Sequence, residues 1–253
     1  MSGSFKALAA LAARLEALAG WLMPGHCLFC LAAIEGRALC CDRCRFDLPL
    51  NHHPCRRCAE PLPESADGRL ECGRCVITPP QFDEAFVPFL YGGGIAELVQ
   101  RFKYGADRRA AEVLYGLVCE RLLEEMARRR SAGALPPEAL VVASLHEERA
   151  RQRGFDQSLW LGRRLSAALG CRLVPAHRLR VGDVQHRLSR AERFRNLRHA
   201  YRVDVALPQR VLLFDDVMTT GATLEALANA CRRAGAWHCT ALAAARTPAD
   251  RMI

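Results

Sequence analysis

The chain has 253 residues, 51% of them hydrophobic, and a formal net charge of +9. This length and apolar content can bury one substantial core and a small second module, which excludes a disordered protein. No stretch approaches the roughly 20 apolar residues that cross a bilayer, so we expect no membrane span and a cytoplasmic location. All basic residues except Lys6 and Lys103 are arginine. Arginine favours phosphate-bearing partners, although such a composition is equally typical of a GC-rich genome.

Residues 5–23 form the first predicted helix, which has an apolar face. Arg14 and Glu16 interrupt what would otherwise be the hydrophobic run of a signal peptide. We therefore expect no export signal at this end of the chain.

A cysteine-rich segment follows this helix. Eight of the thirteen cysteines form four Cys-x-x-Cys pairs, namely Cys27 with Cys30, Cys41 with Cys44, Cys55 with Cys58, and Cys72 with Cys75. In a reducing compartment this spacing favours metal ligation over disulfides, because two such pairs complete a tetrahedral zinc site. We predict two structural zinc ions held by sequential pairs. An interleaved pairing stays open, as does substitution by the surplus thiol of Cys40.

This segment is best interpreted as a zinc-stabilised module without chemistry of its own, since four cysteines leave no open metal position. Contact with nucleic acid or a protein partner through its arginines is the alternative. Paired prolines at Pro79 and Pro80 predict its end. We therefore divide the chain into an amino-terminal helix (1–24), a double zinc ribbon (25–80) and a larger domain (81–253).

Strands and helices alternate in the larger domain. Apolar runs predict strands at 86–91, 139–144, 172–175, 211–215 and 238–245, and helical spacing predicts helices at 95–104, 106–130, 158–168 and 222–234. This alternation predicts an α/β fold with a mostly parallel sheet flanked by helices.

The run VLLFDDVMTTGAT at 211–223 carries the clearest chemical signal. Asp215 and Asp216 follow a buried strand, where carboxylates can hold vicinal hydroxyls directly or through hydrated Mg²⁺. The next residues open a helix and offer hydroxyls and free backbone N–H groups to an anion, and Gly221 permits close approach. An Asp pair that merely caps the helix is the alternative, but it leaves the threonines unexplained.

This run resembles the ribose-phosphate signature of type I phosphoribosyltransferases, which bind phosphoribosyl pyrophosphate (PRPP). A cysteine-rich segment ahead of that signature resembles the layout of the ComF family, which is associated with competence. Three further stretches resemble the same family in the same order: RFKYGADR at 101–108, LHEERARQRGFDQS at 145–158 and QHRLSRAERFRNLRHAY at 185–201. The resemblance implies a type I phosphoribosyltransferase-like domain behind a double zinc ribbon.

The resemblance also implies roles for individual residues. Asp215 and Asp216 would hold the ribose and Mg²⁺, and the 5′-phosphate of PRPP would bind to Thr219, Thr220, Gly221, Ala222 and Thr223. Arg149 and Arg153 would contact pyrophosphate, although a solvated, charged helix start is the alternative for that stretch. The 185–199 segment resembles a mobile hood over PRPP, and its candidate contacts to nucleic acid are Arg187, Arg190, Arg193 and Arg195.

Two functions fit these residues. The first is Mg²⁺-dependent transfer of phosphoribosyl from PRPP to an acceptor that the sequence does not identify, because Thr219 stands where purine enzymes of this class carry an aspartate. The second is a non-catalytic protein that binds PRPP or single-stranded DNA in transformation, together with competence-machinery proteins.

Overall fold

The computed structural model describes residues 25–34, 39–64, 70–144, 156–178 and 200–249. In chain order its elements are β1 (Gly25–His26), β2 (Ala33–Ile34), α1 (Asp42–Phe46), α2 (Gly73–Ile77), β3 (Glu84–Phe86), β4 (Phe89–Leu90), α3 (Gly93–Gly105), α4 (Arg108–Ser131), β5 (Ala139–Ala143), α5 (Gln157–Leu169), β6 (Arg172–Arg178), β7 (Tyr201–Arg202), β8 (Arg210–Met218), α6 (Ala222–Arg233) and β9 (His238–Arg246). None of the helices in these ranges has the length and apolarity needed to cross a membrane. The predicted helix at 5–23 lies outside the described residues.

The central sheet has the order β3-β9-β8-β5-β6-β7, and β4 also pairs with β9. Every pairing in it is parallel except that of β6 with β7. This confirms the predicted α/β fold with a mostly parallel sheet. From β5 the chain moves to β6 on one side and then returns to β8 on the other. The strand order therefore reverses between β5 and β8, and ligands of such sheets bind at the carboxyl ends of the strands beside such a reversal.

Helices cover both faces of the sheet. On one face α6 packs against Val211 and Leu213 of β8. On the other face α3, α4 and α5 pack against Leu212 and Phe214. Side chains therefore alternate along β8 from Val211 to Phe214, with odd-numbered residues towards α6 and even-numbered residues towards α3. The order is exchanged at the end of the strand, where Val217 packs on the α3 side and Met218 on the α6 side.

Strand β8 is longer than predicted and includes the two aspartates. Its pairing with β5 ends at Val142 and Phe214, but its pairing with β9 continues to Met218 and Arg246. The carboxyl end of β8 thus extends beyond β5. The predicted strand at 86–91 was also wrong in one respect, because it is divided into the short strands β3 and β4.

The cysteine-rich module packs directly on the larger domain. Leu28 and Leu48 are buried in the same core as α3 and α4. A Cβ on Gly94 of α3 would lie 2.9 Å from the Phe29 ring, so only glycine allows this approach without a shift of the ring. The two modules therefore share one hydrophobic core.

Candidate functional site

The two aspartates lie in the part of β8 that extends beyond β5. Asp216 faces α3, and its Oδ1 accepts a hydrogen bond from Lys103 Nζ at 2.8 Å. Asp215 faces the opposite side of the strand, towards the start of α6, where the Thr223 side chain lowers the pKa of the carboxyl group. The Asp216 N–H also donates to Asp215 Oδ1 at 2.9 Å. The two carboxylates are thus held from opposite faces of one strand.

The charge of this pair is only partly compensated. Burial and the neighbouring carboxylate of Asp216 raise the pKa of Asp215 to about 7, against the lowering effect of the Asp216 N–H, Lys103 and Thr223. Carboxylate oxygens are the ligands that Mg²⁺ prefers, and a dication beside Asp215 would favour the ionised form of this carboxyl group. The donor set therefore fits a magnesium ion.

The loop after β8 has the features of an anion site. Gly221 adopts φ 84°, in the left-handed region, and is the N-cap residue that precedes α6. Among the described residues, no heavy atom lies within 4 Å of the position that a Cβ on Gly221 would take. Thr219 and Thr220 are exposed, and the Thr220 hydroxyl accepts from the Ala222 N–H at 3.3 Å. Backbone N–H groups of the first turn of α6 are thus available to a phosphate.

Lys103 is a site residue that sequence reasoning missed. It lies near the end of α3, in the RFKYGADR stretch that resembles the ComF family, but its partner Asp216 is 113 residues away. The buried side chain of Gln157 donates to the Lys103 carbonyl at 3.4 Å. The 101–108 stretch therefore contacts both the carboxyl end of β8 and Gln157, which belongs to the described end of the 145–158 stretch. The stretch itself was the signal that could have identified Lys103.

The remaining predicted site residues lie outside the described residues. They are Arg149, Arg153, Arg187, Arg190, Arg193 and Arg195. Ser144, which precedes the first of their segments, follows the carboxyl end of β5, and β5 lies beside β8.

The eight paired cysteines form two clusters in sequential order. The first contains Cys27, Cys30, Cys41 and Cys44, and the second contains Cys55, Cys58, Cys72 and Cys75. Within each cluster the sulfur atoms lie within 4.8 Å of one another. The Sγ atoms of Cys30 and Cys41, and those of Cys58 and Cys72, are 3.7 Å apart. Tetrahedral zinc with bonds of about 2.3 Å places its ligand sulfurs about 3.8 Å apart, so both clusters fit this ion.

Hydrogen bonds to the sulfur of Cys55 stabilise its thiolate form, which is the form that binds zinc. The neighbouring Cys58 thiol and the Cys72 N–H, which lies 3.2 Å from its sulfur, lower the pKa of Cys55 to about 4. By contrast, burial and the nearby Cys27 and Cys41 sulfurs raise the pKa of Cys40 to about 12. Burial raises the pKa of the cluster residue Cys75 to about 12 as well, so Cys40 is excluded by its position outside both clusters and not by its pKa. Two structural zinc ions, one for each cluster, follow from this geometry.

The chain is similar to known proteins over most of its length. The double zinc ribbon domain family matches residues 18–76. The chain is 31% identical over 218 residues to the DNA utilization protein YhgH of Escherichia coli strain K12, covering 85% of this chain and 93% of that protein. It is 29% identical over 194 residues to competence protein F of Haemophilus influenzae, covering 72% of this chain and 79% of that protein.

Among solved structures, the orotate phosphoribosyltransferase of Aeropyrum pernix is similar, with a TM-score of 0.34, 20% identity and coverage of 55% of this chain and 60% of that one. The identity and coverage of the curated relatives, together with the two cysteine clusters, give the family. The chain therefore belongs to the ComF family, whose members join an amino-terminal double zinc ribbon to a type I phosphoribosyltransferase-like domain.

Proposed function

We propose that this protein binds PRPP with Mg²⁺ at the carboxyl end of β8 and transfers the phosphoribosyl group to an acceptor. One observation carries this proposal: a pair of carboxylates and a left-handed glycine loop lie together where the strand order reverses. Neither feature alone indicates PRPP, but PRPP needs both, one for its ribose and one for its 5′-phosphate.

In the proposed reaction, the bond between the anomeric carbon and the pyrophosphate oxygen breaks, and the acceptor forms a new bond to that carbon. Positive charge develops on the ribose ring as pyrophosphate leaves. Asp215 and Asp216 orient the ribose and stabilise this charge, while the N–H groups at the start of α6 hold the 5′-phosphate. Bound Mg²⁺ supplies charge neutralisation for the leaving pyrophosphate. We assign Arg149 and Arg153 to the same leaving group.

A pyrophosphate-release assay tests transfer. The protein is incubated with PRPP, Mg²⁺ and a panel of nucleobases and other nitrogen acceptors, beside the double variant Asp215→Ala/Asp216→Ala. Asp204→Ala serves as the control, because Asp204 is exposed and pairs with Arg202 away from the site. We expect release from the unmodified protein and the control only. Release that never exceeds that of the double variant would contradict a transferase function.

A second candidate is a protein that binds PRPP or single-stranded DNA without transfer. The ring of Tyr104 is 77% exposed and follows Lys103 in the chain, and exposed aromatic rings beside basic groups stack on unpaired bases. Two relatives are named for DNA utilization and competence. In addition, Thr219 occupies the position at which purine phosphoribosyltransferases carry an aspartate, so this chain lacks that carboxylate for recognition of an acceptor base. This candidate places the protein in the cytoplasm beside competence-machinery proteins, where thiol clusters stay reduced.

Fluorescence anisotropy with a labelled single-stranded oligonucleotide tests this candidate. Affinity should fall steeply with salt, and Tyr104→Ala should weaken binding more than Tyr104→Phe, which retains the ring. Arg190→Ala/Arg193→Ala should reduce both the affinity and the salt slope. Equal affinity for all these variants would contradict direct DNA binding through these groups.

A further inference from the structure

Arg246 is a charged residue with almost no contact with solvent. It is the last residue of β9 and is 1% exposed. An arginine keeps its charge at any physiological pH, so a buried guanidinium must find acceptors for its fixed planar donors. Those acceptors come from two different parts of the molecule.

The first set of acceptors lies at the end of β8, where the chain enters the loop at 219–221. We call this loop, which precedes α6, the phosphate loop. Arg246 Nη1 donates to the Met218 carbonyl at 3.1 Å and to the Thr219 carbonyl. Thr219 is the first residue of the loop that we assign to the 5′-phosphate. The Met218 carbonyl also accepts from the Thr247 N–H at 2.9 Å. The direction of the backbone at the entrance to the loop is therefore fixed by the Arg246 guanidinium.

The second set of acceptors lies in the second cysteine cluster. Arg246 Nε donates to the carbonyl of Cys58 at 3.1 Å, and Nη2 pairs with Glu60 Oε2 at 2.5 Å. Cys58 is a ligand of that cluster, and Glu60 follows it by two residues. Backbone bonds from Cys55 N to the Glu60 carbonyl (2.7 Å) and from Ala59 N to the Cys55 carbonyl (2.8 Å) close this turn. Zinc binding by Cys55 and Cys58 would hold the same turn in place.

We infer that Arg246 is a positioning residue through which the second zinc site holds the phosphate loop in its binding conformation. Zinc loss from this cluster releases the turn at 55–60, and Arg246 then loses the acceptors that orient it towards Thr219. The first cluster provides the contrast, because the contacts of its module lead to α3 and α4, through Phe29 against Gly94 and the Arg45–Glu120 pair. The consequence for PRPP affinity rests on the proposed function, but the coupling itself does not.

Hydrogen exchange measured by mass spectrometry on the full chain tests the coupling without any ligand. The reporting peptides lie within 217–226, where Glu225 N donates to the Gly221 carbonyl. Residues 245–249 are left out, because Ala249 N donates directly to Glu60 Oε1 at 2.7 Å. Arg246→Lys and Glu60→Gln should accelerate exchange within 217–226 by about tenfold, since each removes hydrogen bonds of a charged group. Cys72→Ser, which removes a ligand of the second cluster, should do the same.

Two controls make this result specific. Cys41→Ser removes a ligand of the first cluster, and Arg232→Lys alters an arginine that pairs with Asp83 away from the loop. Both should leave exchange in the reporting peptides unchanged. Unchanged exchange in Arg246→Lys and Glu60→Gln, or equal acceleration in Cys41→Ser, would overturn the coupling. If Cys72→Ser does not fold, the Arg246 and Glu60 variants decide the question.

Calorimetric titration with PRPP and Mg²⁺ then tests the functional consequence. Arg246→Lys and Cys72→Ser should weaken PRPP binding by about tenfold, and Cys41→Ser by less than about twofold. An unmodified protein that does not bind PRPP would contradict the proposed function, while the exchange data would still decide the coupling. Normal PRPP affinity in both Arg246→Lys and Cys72→Ser would contradict this consequence of zinc loss.

Discussion

Lys103 Nζ lies 2.8 Å from Asp216 Oδ1 and joins the end of α3 to the carboxyl end of β8. Both side chains are mostly buried, with 20% and 14% exposure. Asp215 stands next to Asp216 and carries a raised pKa, so Lys103 is the nearby cation that offsets two adjacent carboxylates. The charge of the candidate PRPP site is therefore partly compensated by a residue distant in sequence.

Replacement of Lys103 should destabilise the protein. Lys103→Gln leaves the carboxylates without their counter-charge and should lower the free energy of unfolding by about 1–2 kcal/mol at pH 8. Urea denaturation followed by circular dichroism measures this change. The double variant Lys103→Gln/Asp216→Asn should recover most of the loss, and Lys103→Arg should lose little. Equal losses in the single and double variants would show that the ion pair does not carry the effect.

The raised pKa of Asp215 predicts a pH-dependent stability. The folded-state pKa of about 7 exceeds the ordinary value of 3.8, so the folded protein keeps a proton that the unfolded chain has released. Stability from this group therefore falls as the pH rises from about 4 to 7, and the penalty is complete above pH 7. Asp215→Asn removes the penalty and should raise Tm by roughly 5 °C at pH 8.5 and by less than about half as much at pH 5 in Mg²⁺-free buffer. A gain of the same size at both pH values would contradict this origin.

Gly221 should matter more for binding than for stability. Gly221→Ala places a Cβ at φ 84°, which costs about 1 kcal/mol, in a position where no described protein atom lies within 4 Å. We expect PRPP affinity to fall by more than about tenfold, because the methyl group occupies the space assigned to phosphate. Gly235→Ala is the matched control, since Gly235 also has a positive φ, of 105°, but lies after the end of α6. It should lower stability to a similar extent and leave affinity unchanged.

The zinc content should be two ions per chain and should fall in separate steps. Cys30→Ser and Cys75→Ser each remove a ligand from a different cluster, so each variant should retain one zinc. Cys40→Ser should retain both, because Cys40 does not belong to either cluster. Release of zinc by a thiol-blocking reagent, followed with a metallochromic dye, gives these numbers. Loss of zinc in Cys40→Ser would contradict the ligand assignment.

Much of the architecture could be predicted from local patterns. The alternation of apolar strands and amphipathic helices predicted the parallel sheet, and the spacing of the cysteines predicted two zinc sites. The spacing left an interleaved pairing open, and the structure shows the sequential one. The loop at Gly221 could also be predicted, because a glycine after a strand and before a helix is a local signal. These features depend on residues that are close together in the sequence.

The residues that the sequence did not reveal act across long separations. Lys103 has an ordinary position on a helix, and only the packing of α3 on the face of β8 that carries Leu212 and Phe214 brings it to Asp216. Arg246 follows an apolar strand that predicts nothing about its side chain, yet its acceptors include Cys58, 188 residues earlier. The length of β8 depends on β9, which continues to pair beyond the end of β5. Such relationships come from tertiary packing, which local patterns do not encode.

Calorimetric titration of the zinc-loaded protein with PRPP, with and without Mg²⁺, tests the central claim most directly. We predict saturable binding with one PRPP per chain that requires Mg²⁺, is abolished in Asp215→Ala/Asp216→Ala and persists in Asp204→Ala. The absence of PRPP binding by the unmodified protein, or equal binding by the double variant, would contradict the assignment of this site.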